Sequence, residues 1–332
     1  MRADGVERFF VVCDPRNESA VRACFPDGCD VTVSGEQRAL LDFLQEDGPV
    51  TVLPCAMLPM EAAGEPLAYT AQAAALRESW TRQAGGAIPG ASPLPGFTAV
   101  PDLLGLQALE LVCRDEIVRR HMANGVRFLD PSAVYIDPRV RIGRGTLILP
   151  GSILRGNTVI GTGCTIGPNA MVRSCTVGDD TEINASQVNE SRFGSRTHVG
   201  PFAYVRPNCT IGDDIKVGDF VEVKNSTLGN GTKISHLTYV GDSDVGEKVN
   251  FGCGTVTTNY DGFKKYRCTI GSNTFIGCNT NLVAPVTVGE GAYIAAGATI
   301  TQDVPPDALA VARARQENKE GWAARRRKLH GK

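Results

Sequence analysis

From Val199 to Ile300 an aliphatic side chain returns at every sixth position with few exceptions. The series is Val199, Val205, Ile211, Val217 and Val223, then Ile234 and Val240, and later Ile270, Ile276, Leu282, Val288, Ile294 and Ile300. Glycine often follows it, as at Gly200, Gly212, Gly218, Gly271, Gly277 and Gly289. The same beat runs back through Phe193, Ile166, Ile160, Leu154, Ile148 and Ile142. A helix repeats at about 3.6 and a strand at about 2. A sustained period of six instead predicts a β-helix of hexapeptide rungs, with one inward aliphatic residue per side of a triangular coil. Three sides make a coil of about eighteen residues, stacked at about 4.8 Å. The five-residue steps from Val172 to Val177 and from Val223 to Leu228 drop a corner residue without breaking the register. The step from Val256 to Ile270, carrying TNYDGFKKYRCT, is too long for one side and leaves the coil as a loop. Handedness does not follow from the period.

Outside the coil the pattern changes. Residues 7–56 alternate strand-like runs (FFVVC, DVTVS, PVTVLPC) with helix-like ones (AVRACF, QRALLDFL), which predicts a small parallel α/β fragment. It is too short for a complete nucleotide-binding domain and has no glycine-rich phosphate loop after its first strand. Residues 62–99, with GGAIPGASPLPG, read as a linker. Asp102 to Ala123 is a helix with an apolar face of Leu103, Leu106, Leu109, Ile117 and Val118, capped by Asp102 and ended by Asn124-Gly125. The expected organisation is an α/β region at 1–99, a connecting helix at 100–128, the β-helix at 129–304, and a tail at 305–332 ending in ARRRKLHGK.

Composition adds limits. Of 332 residues 42% are hydrophobic and 6% aromatic, and the net charge is −2. No global field points to nucleic acid or an anionic membrane. The opening MRADGVERFFVV is too short an apolar run for a signal peptide and no stretch could span a bilayer, so a cytoplasmic protein is expected. Eleven cysteines without CxxC or Cys/His clusters fit reduced thiols better than a disulfide framework or a zinc site, and no metal is expected.

Outward side chains on a β-helix stack in rows, and two rows bear on chemistry. Arg206 follows the inward Val205 and Lys224 follows the inward Val223, eighteen residues later, so the two cations should sit one above the other. Such a pair is either a solvated surface feature or a clamp for a phosphate or diphosphate lying across it. His236 is two positions beyond the inward Ile234, two faces round from the cations, with Tyr239 three residues on and Asn250 on the next coil. A neutral imidazole suits a general base for an amine or hydroxyl, and a lone histidine on a β-helix is also common as surface decoration. Within one chain His236 does not easily reach a ligand held by the Arg/Lys row. Neighbouring coils around a three-fold axis would let the two sets share a cleft. Cys253 and Cys278 have no local histidine to activate them and read as ordinary coil positions. The basic tail residues Arg325, Arg326, Arg327 and Lys328 read as a frayed, solvated terminus.

Taken together, GPFAYVRP, GDFVEVKNSTLG, KISHLTYVGDSDVG, VNFGCGTVTTNYDG, NLVAPVTVGEGAYIAAGATIT and ARARQENKEGW resemble one family. It is the acetyltransferase half of the bacterial bifunctional N-acetylglucosamine-1-phosphate uridyltransferase/glucosamine-1-phosphate acetyltransferase, over about residues 100–322. The resemblance implies a left-handed β-helix, a homotrimer with active sites between subunits, and acetyl transfer from acetyl-CoA to glucosamine 1-phosphate. The product would feed UDP-N-acetylglucosamine and cell-wall synthesis. By position it implies that His236 is the general base. It places Arg206, Lys224, Tyr239, Asn250 and Lys265 on the sugar phosphate, and Cys253, Asn259, Tyr260, Cys278, Ala296 and Arg313 on acetyl-CoA. Cys253 and Cys278 stand where the family has Ala and Ser.

The N-terminal part departs from that family. Its glycine-rich, arginine-bearing loop is missing, and Pro54-Cys55-Ala56 and Pro101 stand where a metal-binding Gly-Asp and an Asn belong. The uridyltransferase activity is therefore expected to be lost. Two further readings stand beside the acetyltransferase: a non-catalytic, sugar-nucleotide-binding relative, and an acyltransferase with a different amino-sugar acceptor.

Overall fold

The computed structural model describes residues 7–25, 28–54, 57–59, 68–82, 88–100 and 102–331. The chain divides into two compact units, Met1–Leu111 and Val112–Lys332.

The second unit is a left-handed parallel β-helix of hexapeptide rungs, whose three sides are parallel sheets of eleven, ten and nine strands. The chain visits them in order on each coil. Lys216–Asp219 lies on the first side, Glu222–Lys224 on the second and Thr227–Leu228 on the third, before Lys233–His236 returns to the first. The six-residue beat is the inward file. Val205, Val223 and Val240 stand opposite one another on the second side, and Val217 opposite Ile234 on the first, all wholly buried. Each such side chain contributes roughly 1.5–3 kcal/mol by leaving water. Polar corners are satisfied internally: Thr197 and Thr232 are buried and donate to the carbonyls of Gly212 and Gly246 on the next coil, both at 3.0 Å. At the corners even bulky residues take positive φ, as at Phe220 (55°) and Leu237 (46°), a conformation held by the ladder on either side.

The coil is longer than its aliphatic beat. Arg127–Phe128 already pairs with Leu147–Ile148, and Leu309–Ala310 adds a strand beyond Tyr293–Ile294. At the far end the inward place passes to the small Ala310, so the hydrophobic signal fades while pairing continues. The long step after Val256–Thr258 does leave the coil: Tyr260 bridges Lys265, and Asp261 accepts from the N–H groups of Phe263 and Lys264.

The helix Leu103–Ala123 begins where Asp102 accepts from the Gly105 N–H at 2.8 Å and stops before Gly125 (φ 85°). Val118 and Ile117 pack on the coil's core, whereas Leu103, placed on the apolar face by sequence, is 82% exposed. The tail also departs from the expected frayed end, forming a short exposed helix, Trp322–Leu329.

In the first unit Arg8–Val11 and Asp30–Val33 pair in parallel, as the alternation predicts. The third strand does not join them. Pro49–Val52 pairs antiparallel with Tyr69–Gln72, which pairs with Ser92–Pro93, so the α/β fragment is not all parallel. The expected linker therefore contains strands and the helix Ala73–Thr81, because Ala71, Ala73 and Leu76 bury against Leu44. Cys55, Ala56 and Pro101 lie outside the described residues. No helix among the described residues is long and apolar enough to cross a membrane.

Candidate active site

Arg206 and Lys224 occupy the place predicted for them. The Arg206 N–H donates to the Val223 carbonyl at 2.8 Å, so both side chains leave the same corner, between second and third sides, on adjacent coils. With Lys265 and Arg267 from the excursion they line a cavity of about 550 Å³, whose wall also includes Asn208, Asn225, Asp242 and Tyr266. Arg206 is held by Glu222 at 3.0 Å, and Arg267 by Asp244. Lys224 Nζ is 3.8 Å from Asp242 Oδ2, the two side chains only 18% and 6% exposed.

The electrostatics suit an anion. Contact with Lys265 and then burial push the Lys224 ammonium below the ordinary lysine value, against the attraction of Asp242. Burial alone would raise Asp242. Hydrogen bonds from Asn225 and Asn259 and the charges of Lys224 and Lys265 outweigh it, and the carboxyl sits below its usual range. A cation crowded by cations gains most when a dianion arrives.

Tyr239 and Asn259 belong to this corner. Tyr239 stands above Glu222 on the second side, and Asn259, buried, donates to the Tyr239 hydroxyl at 3.3 Å and to Asp242. Tyr260 is exposed on the excursion, its hydroxyl donating to the Gly262 carbonyl.

The other predicted residues form a second group at a different corner, between first and second sides. His236 ends the strand Lys233–His236 and its side chain is 56% exposed. The register Ile234 opposite Phe251 opposite Ile276 opposite Ile294 carries Cys253, Cys278 and Ala296 above it, one per coil. The file is tied by backbone bonds from Asn279 N–H to the Cys253 carbonyl and from Gly297 N–H to the Cys278 carbonyl, both 2.8 Å. Arg313 closes it: a Cβ added at Gly297 would lie 3.6 Å from Arg313 Cδ. Asn250 stands on the first side between Lys233 and Phe275, three residues before Cys253. Four residues scattered over sixty positions of sequence thus become one column above the histidine, and the pocket cations remain at another corner of the same chain.

Sequence reasoning missed the groups that hold these side chains. Glu222 and Asp242 pair with the cations, and Asp219 Oδ1 lies 2.6 Å from His236 Nδ1. The signal for Asp219 was present: with one five-residue step, a coil is seventeen residues, and seventeen before His236 is Asp219.

Comparison with known proteins places the coil. The sequence profile of the bacterial transferase hexapeptide family (six repeats) matches residues 139–174 and 267–302. The chain is 51% identical over 243 residues to the "Bifunctional protein GlmU" of Geobacillus sp. (strain WCH70), covering 72% of this chain and 53% of that protein. Its counterpart from Clostridium kluyveri is 51% identical over 237 residues, covering 71% and 52%. The chain spans about half the length of the curated relatives it matches. Among solved structures, an Arabidopsis UDP-N-acetylglucosamine acyltransferase aligns with a TM-score of 0.39 at 18% identity, over 56% of this chain and 67% of that one.

Proposed function

We propose that this hexapeptide-repeat chain, similar over 72% of its length to a bifunctional GlmU protein, transfers acetyl from acetyl-CoA to the amine of glucosamine 1-phosphate. The observation that carries the reading is the split of one chain into two complementary corners. One is a cavity lined by Arg206, Lys224 and Lys265, suited to a sugar phosphate. The other is a column of small residues, Cys253, Cys278 and Ala296, rising from His236 to Arg313 and leaving room for an extended thioester arm. In a homotrimer, coils packed side by side would set the His236 corner of one copy against the cation pocket of the next.

In this mechanism the pocket fixes the phosphate and Tyr239 flanks the sugar. Asn259, which the resemblance alone would put on acetyl-CoA, joins it through its bonds to Tyr239 and Asp242. His236 takes the proton as the amine attacks the thioester carbon. The C–N bond forms, the C–S bond breaks, and the sulfur leaves as thiolate and recovers the proton. No acyl-enzyme is needed, so the chain supplies positioning and one base. The product, N-acetylglucosamine 1-phosphate, would serve UDP-N-acetylglucosamine and cell-wall synthesis in the cytoplasm. Uridylyl transfer is assigned no role here, because the resemblance puts Pro54-Cys55-Ala56 and Pro101 in place of metal-binding residues.

The test is thiol release from acetyl-CoA with glucosamine 1-phosphate, beside His236→Ala. Release that requires the amino sugar and falls by about 10²-fold or more in the variant is expected for a general base. A well-folded trimer with no release overturns the proposal in favour of a binding protein or another acceptor.

A further inference from the structure

The contact between Asp219 and His236 has a chemical direction. An ionised carboxylate only accepts hydrogen bonds, so at 2.6 Å the proton between Asp219 Oδ1 and His236 Nδ1 belongs to the ring nitrogen. In the neutral ring the lone pair is then on Nε2. Asp219 sits one coil below the histidine and Cys253 one coil above it, so the ring is tethered from the side opposite the proposed thioester column. The carboxyl lies below its usual range because of its hydrogen bond to His236, with Lys216 on the same strand adding in the same sense, so it stays ionised at neutral pH.

We propose that Asp219 is a positioning residue for His236, holding the imidazole as its Nδ1–H tautomer so that Nε2 is the atom that accepts the amine proton. The inference rests on the acetyltransferase reading. When Nε2 takes the proton, the ring becomes a cation whose Nδ1–H still points at Asp219, and the carboxylate stabilises it without itself being protonated. Nε2–H then returns the proton to the departing thiolate, and the pair is reset. The two side chains are 39% and 56% exposed, and exposed pairs of this kind contribute little to folding. The role is therefore separable from stability.

The experiment compares Asp219→Ala, Asp219→Asn and Asp219→Glu with His236→Ala and the Asp219→Ala/His236→Ala double variant. Expected for Asp219→Ala is a loss in kcat of about 10- to 100-fold with both KM values within about twofold, partial recovery in Asp219→Glu, and no further loss when it is added to His236→Ala, as for groups acting as a unit. Wild-type kcat in Asp219→Ala, or an independent multiplicative loss in the double variant, overturns the proposal. Asp219→Asn keeps the shape of the site should the alanine variant misfold. Nitrogen-15 spectra of the imidazoles, with His236 assigned by its loss in His236→Ala, give a reading that does not need turnover. The Nδ1–H tautomer in the wild type and a shift towards Nε2–H in Asp219→Ala support the positioning of the ring by Asp219, whereas absent acetyl transfer with that tautomer shift overturns only the acetyltransferase reading. An unchanged tautomer overturns the positioning even if the enzyme is active.

Discussion

Lys224→Met is the most informative single change at the proposed phosphate pocket, because methionine keeps most of the stem and removes only the charge. Lys224 is mostly covered, so its contribution is not diluted by solvent as a surface lysine's would be. Losing one charge-assisted hydrogen bond to a phosphate costs about 1.5–3 kcal/mol, or roughly 10- to 150-fold in affinity. The protein itself should lose much less. The ammonium is crowded by Lys265 and Arg206, and Asp242 keeps hydrogen bonds from Asn225 and Asn259 when its ion-pair partner goes. The expected result is KM for glucosamine 1-phosphate raised by about 10- to 150-fold, kcat and KM for acetyl-CoA changed little, and a melting temperature within a few degrees of the wild type. Steady-state thiol release gives the constants, and calorimetric titration with N-acetylglucosamine 1-phosphate gives the affinity separately. Unphosphorylated glucosamine is the control, since its weak use should be unaffected. A KM within twofold of wild type would refute the placement of the phosphate, and an equal loss with unphosphorylated glucosamine would show damage beyond charge.

Other outcomes follow from the same geometry. The Asp242 carboxyl is lower in the folded chain than its unfolded value, so its contribution to stability is fully present above about pH 4 and disappears as pH falls through the folded value. Asp242→Asn should therefore melt below the wild type at pH 7, and the gap should narrow progressively in acid melts as the folded carboxylate is protonated. A Cβ at Gly277 would lie 2.5 Å from the Ala296 nitrogen, so Gly277→Ala should cost several degrees of melting temperature, and an unshifted melt would mean that the coils part easily there. Cys278 is exposed, while burial pushes the Cys175 and Cys268 thiols up to about 11. N-ethylmaleimide at pH 8 should label Cys278, spare Cys175 and Cys268, and stop acetyl transfer unless acetyl-CoA is bound, as peptide mass mapping would reveal. UTP with magnesium and the acetylated product should yield no pyrophosphate, and its appearance would restore a uridyltransferase to the first unit.

The coil and its inward file were legible, though not its two end strands, because a β-helix repeats one packing problem on every side. Each side must bury one aliphatic group such as Val223 or Ile276, so the period appears directly in the sequence. The stacking of Arg206 on Lys224 was legible for the same reason, since every step between them is six residues. The first unit was less so. Its strands are short, and whether Pro49–Val52 pairs with a parallel or an antiparallel neighbour depends on partners more distant in sequence than any local pattern reports.

What the sequence by itself determined, then, was the coil and the residue types on its surface. The tertiary structure decided which of those residues share a corner. Five-residue steps and the excursion between Val256 and Ile270 each change the coil length, and their effect on register accumulates until only the hydrogen-bonded ladder fixes it. That ladder sets Cys253, Cys278 and Ala296 in a column over His236, and Tyr239 and Asn259 beside the cations. It also brings Asp219 to His236 across one coil, a contact no local motif encodes, because its two halves meet only when the chain has completed a full turn.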